Sequence, residues 1–409
     1  MLTIRNFRLI FAGVCFTAAS FIHAQSILSV QYPGGLPQAH STGPSLSMGG
    51  AGTGVQNDFF GMADNIANLG GMNRAVFSAV TSFDFVSIRQ DNASSTLFAL
   101  APRLISFAFH INPAGTFGFS IDQRSSMRLR FVTDNSIPLS DGSTITDSLG
   151  VARTGGVNSW QAGWGRAIGQ WAFIGVGYER IYMSSNEIDL YSSGLSSGIP
   201  RYDTLGLVFR GNAFRGGILL PLQKLTIGMS GEYVFKGDGE RTVGSTDSTS
   251  NEYQTFSLTL PPSLSLGASY AFSPSWLAAV SSGITLWKHY HTTLPDTIPL
   301  GGKVDNALSF SAGVQFIPAP NLLVPHYWEI MQYRAGFRYT ELPVVSGAEF
   351  AFTLGVGLPL LKGGGLIDCI AEYGKRSDSR FPNYSENFLQ LYIGITGGRR
   401  WSQNTGTRY

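Results

Sequence analysis

Phe256–Phe272 reads FSLTLPPSLSLGASYAF. Its even positions are Phe256, Leu258, Leu260, Leu264, Leu266, Ala268, Tyr270 and Phe272, and its odd positions include Ser257, Thr259, Ser263, Ser265, Gly267 and Ser269. Successive side chains on a strand point to opposite faces, so this stretch is a strand greasy on one side and polar on the other. It is also far longer than the usual globular strand of about 5–6 residues. Leu225–Lys236 behaves the same way, with Leu225, Ile227, Met229, Tyr233 and Phe235 set against Thr226, Gly228, Ser230, Glu232 and Lys236.

Extended outward in both directions, the same reading gives about fourteen strands. Their approximate spans are 76–88, 96–111, 116–131, 157–167, 171–184, 203–220, 225–236, 255–272, 276–288, 306–316, 330–339, 349–360, 366–375 and 387–396. Short turns (112–115, 168–170, 221–224, 273–275, 361–365) alternate with longer polar loops at 132–156, 185–202, 237–254 and 289–305. Transmembrane barrels show this asymmetry, with tight periplasmic turns and long extracellular loops. One connection fits badly. Ile317–Glu329 should be a tight turn but is long and proline-rich, which points either to a periplasmic elaboration or to a miscount by one pair of strands.

Composition agrees with a chain that lives in lipid. Only 13% of residues are charged, about half the share in soluble domains. Fifty glycines and 12% aromatics suit many turns and aromatic girdles. Beyond the first two dozen residues nothing nears the roughly 18 consecutive apolar residues of a spanning helix. A net charge of +2 over 409 residues excludes nucleic acid as a default partner. Met1–Arg8 carries Arg5 and Arg8 and no acid, Leu9–Ile22 is almost wholly apolar, and Ala24 follows. This is an export signal, with cleavage expected after Ala24. Cys369 is the one cysteine beyond it, so no internal disulfide is expected.

Residues 25–75 precede the first strand and do not alternate. Their glycines and small polar residues, together with Leu46, Met48, Val55, Phe59, Phe60, Met62 and Leu69, suggest a plug packed in the lumen. A loose periplasmic leader is the alternative. The barrel is expected over 76–396, with 397–409 as a periplasmic tail.

Ser47-Met48-Gly49-Gly50-Ala51-Gly52-Thr53-Gly54-Val55, followed by Asp64-Asn65-Ile66-Ala67-Asn68-Leu69, resembles the plug of the long-chain fatty acid transporter (FadL/TodX) family. Asn65 and Ala67 match an Asn-Pro-Ala turn of that family, with Ile66 in place of the proline. Leu260–Gly267 with Trp276 and Trp287, and the run from Tyr333 through Phe352–Pro359 and Glu372-Tyr373-Gly374 to Arg400-Trp401, are similar to the family's later strands. The resemblance implies a fourteen-stranded outer-membrane barrel with an N-terminal hatch. It also implies sideways release of hydrophobic ligands through a gap at a kink in the third strand.

That strand is 116–131. By simple alternation Phe117, Phe119, Ile121, Gln123, Ser125, Met127, Leu129 and Phe131 face lipid, so Gln123 and Ser125 interrupt the apolar stripe. They are the candidate borders of a lateral gap. A bulge that shifts register by one would instead turn both inward. The same alternation puts Arg124, Arg128 and Arg130 in the lumen, where a guanidinium suits a ligand carboxylate. It also places Glu232, Arg334, Arg338, Asp368 and Glu372 there, as an ion-pair network. Gly49, Gly50, Asn65, Ala67 and Asn68 are the candidate plug residues, with Asn65 and Asn68 bonding the turn to the wall.

No Ser–His or carboxylate constellation marks an enzyme. His289 and His291 lack a third ligand, so no metal and no cofactor is expected. The expected function is passive uptake of a hydrophobic small molecule or lipid by a monomer surrounded by outer-membrane lipids. The alternative is a secretion-system or surface-anchoring barrel that binds a protein partner.

Overall fold

The computed structural model describes residues 26–399, apart from 27, 30–31, 33, 40, 91–92, 139–143, 194–200, 246–250, 295–303, 323, 345, 361–363 and 381–382. The expected signal segment 1–24 and residues 400–409 of the expected tail lie outside the described residues.

A short plug strand β1 (Leu36–Pro37) and two single-turn helices, α1 (Gly43–Leu46) and α2 (Asn68–Gly71), come first. The wall follows as β2 (Ala75–Gln90), β3 (Ala93–Ile111), β4 (Gly115–Pro138), β5 (Thr144–Ile168), β6 (Ala172–Ser193) and β7 (Arg201–Leu222). It continues through β8 (Leu225–Val234), β9 (Gly237–Ser245), β10 (Glu252–Thr259), β11 (Ser263–Ser273), β12 (Trp276–Thr285) and β13 (His291–Thr292). After β14 (Ala307–Phe316) and α3 (Tyr327–Ile330) it ends with β15 (Gln332–Leu342), β16 (Gly347–Pro359), β17 (Gly365–Asp378) and β18 (Tyr384–Arg399).

Neighbours pair antiparallel around a ring that β18 closes on β2, from Tyr384↔Gln90 to Arg399↔Ala75. The ring has fourteen crossings, because β8/β9, β10/β11 and β12/β13 are each one crossing broken once. In β10/β11 the break is Pro261-Pro262, which lack the N–H that a ladder needs. Closing the ring pairs its first and last strands, the condition for spanning with strands. Outward residues such as Phe77, Phe119, Leu266, Phe352 and Ile393 are exposed to the bilayer. Their inward neighbours Ser78, Ser120, Thr353 and Tyr392 are buried.

Two expectations are corrected, and one alternative left open is decided. The C-terminal strand runs to Arg399, beyond 396, because its partner strand begins at Ala75. Ile317–Glu329 is an elaborated turn and the strand count needs no extra pair; α3 within it is capped reciprocally by His326 and Glu329. Most of 132–156 and 185–202 is strand and not loop, because β4 to β7 extend over 24, 25, 22 and 22 residues. A crossing needs only about 9–11. Above the membrane both faces of such a hairpin meet water, so the apolar alternation that marks a strand fades.

The segment between Leu46 and Met72 packs against the inner wall. Met62, Ile66, Leu69 and Met72 pack on Val76 and Ala108 of the wall, and Leu46 packs with Val80, Leu104 and Ile370. Each fully buried apolar side chain of this size contributes roughly 1.5–3 kcal/mol. The seats are tight. A Cβ at Gly49 would lie 2.6 Å from the Phe337 carbonyl oxygen, and one at Gly70 2.7 Å from that of Arg166.

Candidate lateral opening and lumen site

The ladder between β3 and β4 runs from Ile111↔Gly115 to Leu104↔Asp122 and ends there among the described residues. Both strands are bulged just beyond the last pair. On β3 the extra residue is Arg103, since Leu104 pairs Val80 while Pro102 pairs Thr81. On β4 it is Arg124, since Gln123 pairs Asn158 while Ser125 pairs Val157. A bulge bends its strand and increases the local twist, so two bulges on facing strands steer them apart. Pro102 adds a residue with no N–H to offer either edge.

Each bulged arginine is held by acids on its lumen side. Arg103 is fully buried, with Nη2 donating to Asp84 at 2.6 Å and Nε to Ser82 at 2.7 Å. Arg124 Nη2 lies 2.7 Å from both carboxylate oxygens of Glu232, and its Nη1 is 3.4 Å from Glu179. Breaking a buried pair by removing one partner costs about 3–5 kcal/mol, because the other charge stays buried. Arg124→Met should therefore lower the urea midpoint of the barrel in micelles markedly. Adding Glu179→Gln and Glu232→Gln should restore much of the loss, and no recovery would show that the acids do not depend on Arg124.

The N-terminal segment pairs beside the break. β1 adds to the free edge of β4 with Leu36↔Ser126 and Pro37↔Ser125, and the Gln38 N–H donates to the Arg124 carbonyl at 2.9 Å. Ser125 Oγ donates to the Gly34 carbonyl at 2.6 Å and accepts from the Val157 N–H at 3.0 Å. Behind this contact lies a cavity of about 430 Å³ whose lining includes Gln38, Arg124, Ser125, Leu46, Gly50 and Arg338. A larger hollow of about 980 Å³ lies on the outer face between Trp276 and Phe85. Its walls are mostly side chains that meet the bilayer, so it is remote from this site.

Alternation through the bulge reassigns the arginines. Gln123 is half-buried with its Oε1 enclosed, Ser125 turns inward, and Met127 and Leu129 follow it at 3% and 7% exposure. Arg128 and Arg130, expected in the lumen, therefore lie on the outer face, and of the three only Arg124 points inward. The cause is the single extra residue, which reverses the parity of everything after it.

The other lumen charges sit where alternation put them. Arg334 bonds Asp368 at 2.6 Å, Arg338 bonds Glu372 at 2.5 Å and Glu349 at 2.9 Å, and Arg376 bonds Glu349. In the plug, Asn65 Nδ2 donates to the carbonyls of Thr53 (2.9 Å), Ile218 (3.2 Å) and Met229 (3.3 Å), while its Oδ1 accepts from the Ala67 N–H. Asn65 thus ties the turn to β7 and β8. Asn68 bonds within the plug, to the backbone of Asn57 on both its donor and acceptor sides, and not to the wall. Gly49 seats on β15, and Gly50 borders the cavity.

Sequence reasoning missed Arg103 and the strand Leu36–Pro37. Both had a signal. The apolar stripe of β3 changes parity between Leu100 and Ile105 around Pro102, and Pro33-Gly34-Gly35-Leu36-Pro37 is a run of turn formers ahead of the plug.

Among solved structures the chain is similar to a FadL homologue of Pseudomonas aeruginosa, at 12% identity and a TM-score of 0.61, over 88% of this chain and 99% of that one. It is similar to the toluene transporter TodX of P. putida, at 14% identity and a TM-score of 0.57, over 88% and 98%. The toluene transporter TbuX of Ralstonia pickettii matches at 16% identity and 0.56, over 87% and 97%. This is the FadL/TodX fold. At such identities the likeness is one of architecture. A family model described as BamG matches residues 223–405, from the turn before β8 onward. No curated protein matches the chain. The ladder break described above lies beside the third membrane strand, β4.

Proposed function

We propose that this chain is an outer-membrane channel for passive uptake of hydrophobic molecules, with release sideways between β3 and β4. The observation that carries the proposal is the ladder that stops at Leu104↔Asp122, with a cavity and a two-residue strand directly behind it. An apolar solute gains nothing from a water-filled axial path, whereas a side exit delivers it from the lumen straight to hydrocarbon. The narrow strand β1 supplies partners to backbone groups on one side of the slot that would otherwise be costly to leave bare. The likeness to a FadL homologue and two toluene transporters supports the same reading. Export by a signal cleaved after Ala24 and a monomeric state belong to the proposal, as does a role for Gln123, Ser125 and Arg124 at the exit.

In cells lacking other channels for hydrophobic compounds, expression should raise uptake of a radiolabelled alkylbenzene or long-chain fatty acid several-fold. Entry of a polar solute of similar size should not change. Equal rates with and without the protein, in folded and surface-displayed form, would overturn the reading. A second reading, a barrel that holds a protein partner, is favoured by one feature, the bare upper edge of β4.

A further inference from the structure

β4 continues twelve residues beyond Ser126, to Pro138, paired throughout with β5. On its other side the described residues pair it with β3 only as far as Asp122 and with β1 only at Ser125 and Ser126. What ends β1 is local. Gly35 (φ 101°) and Gly34 (φ 77°) take up left-handed backbone and turn the chain into the lumen, where a Cβ on Gly34 would lie 2.5 Å from Val157. From Met127 onward no described residue pairs with this edge of β4, which runs on in line with a strand that already uses it.

The phase of that edge is fixed by the Gln38 N–H bonded to the Arg124 carbonyl. Hydrogen-bonding groups alternate sides along a strand, so Ser126, Arg128, Arg130 and Val132 direct theirs to the edge. Side chains alternate as well. Met127 and Leu129 are buried on the lumen side, while Arg128, Arg130 and Val132 (64% exposed) face out. On the outer face β5 places Thr154 opposite Arg128 and Ala152 opposite Arg130. Neither arginine has an ion-pair or hydrogen-bond partner among the described residues. Among the described residues β5 offers them no acid.

We propose that the edge of β4 from Met127 to Val132 binds an extended segment of a partner protein as an added antiparallel strand, with apolar residues opposite Met127 and Leu129 and acidic residues opposite Arg128 and Arg130. Strand addition draws its affinity from main-chain bonds and its specificity from alternate side chains. Opposite charges directly across a pair favour one sequence and like charges disfavour the other. The chain's own β1 shows the mode at two residues' length. The proposal stands apart from uptake, since it concerns the edge above β1 and not the passage behind it.

The test uses the full-length mature protein in micelles and two fluorescent octapeptides, one alternating Val and Glu, the other Val and Lys. Anisotropy should show the Val-Glu peptide binding about tenfold more tightly than the Val-Lys peptide. Arg128→Glu with Arg130→Glu should reverse that order. Arg130→Pro removes an N–H directed at the edge and leaves the β4–β5 ladder its bonds, so it should abolish binding while heat-modifiable migration stays that of a folded barrel. Equal affinity for both peptides, or Val-Glu binding unchanged in folded Arg130→Pro, would overturn the proposal. So would binding seen only after residues 26–35 are deleted, which would give the edge to the chain's own N-terminal segment. Failure of both peptides, with charge reversal instead reducing binding to vesicles containing a phosphorylated lipid, would overturn it in favour of a headgroup site.

Discussion

Pro37→Cys with Ser125→Cys, made in a Cys369→Ser background, is expected to oxidise spontaneously and to stop uptake of a hydrophobic tracer until a reductant is added. Pro37 and Ser125 face each other across an antiparallel pair. Gln38 bonded to Arg124 marks the adjacent pair as hydrogen-bonded, so this one is the non-bonded type with Cα atoms about 4.5 Å apart. That separation falls within the range a disulfide accepts. Oxidised, β1 is fixed in the opening and nothing passes between β3 and β4. The rate should fall to that of cells without the channel and recover in dithiothreitol. The single substitutions supply the comparison, because Ser125→Cys alone removes the hydroxyl that holds Gly34. Unimpaired uptake in fully oxidised protein would eliminate the lateral route and leave a path through the plug.

Deleting residues 41–72 should convert the barrel into an open pore for small polar solutes, the largest change in permeability expected from any alteration of the plug. Asn65→Ala should do the same in part. It strips the partner from the buried Thr53 carbonyl and from the Ala67 N–H, and removes an added bond from the carbonyls of Ile218 and Met229, which stay in their ladders. Leaving such groups bare costs about 1–3 kcal/mol each, though some will find water once the turn loosens. A net cost on the order of 3 kcal/mol would raise the open fraction of the plug about a hundredfold. Asn68→Ala, whose bonds stay inside the plug, should raise it less. Single-channel recording in planar bilayers reads all three. If the deletion leaves conductance unchanged in a folded barrel, the segment does not seal the lumen.

Period-two alternation was enough to find fourteen crossings, because lipid on one side and a filled lumen on the other impose opposite polarities on successive residues. It placed Glu232, Arg334, Arg338, Asp368 and Glu372 correctly for the same reason. It misplaced Arg128 and Arg130 because one unpaired residue, Arg124, resets parity without leaving a mark in composition. The upper halves of β5 and β6 went unseen because water on both faces removes the contrast that alternation needs. β1 was invisible for another reason. Two residues carry no period, and their pairing with Ser125 and Ser126 is a contact about ninety positions away in the chain.

The glycine seats of the plug bear on how the barrel is assembled. Gly54 leaves no room for a side chain against Ala268 of β11, Gly49 none against Phe337 of β15 and Gly70 none against Arg166 of β5. These three strands are far apart around the ring, and on the wall Gly313 and Gly336 approach Met48 as closely. A body gripped from several directions at backbone distance has no axial route in or out of a finished ring. The segment from Gly49 to Gly70 therefore has to be in place before β18 meets β2, so that the last seam to zip is drawn shut around a template that the chain itself delivered first.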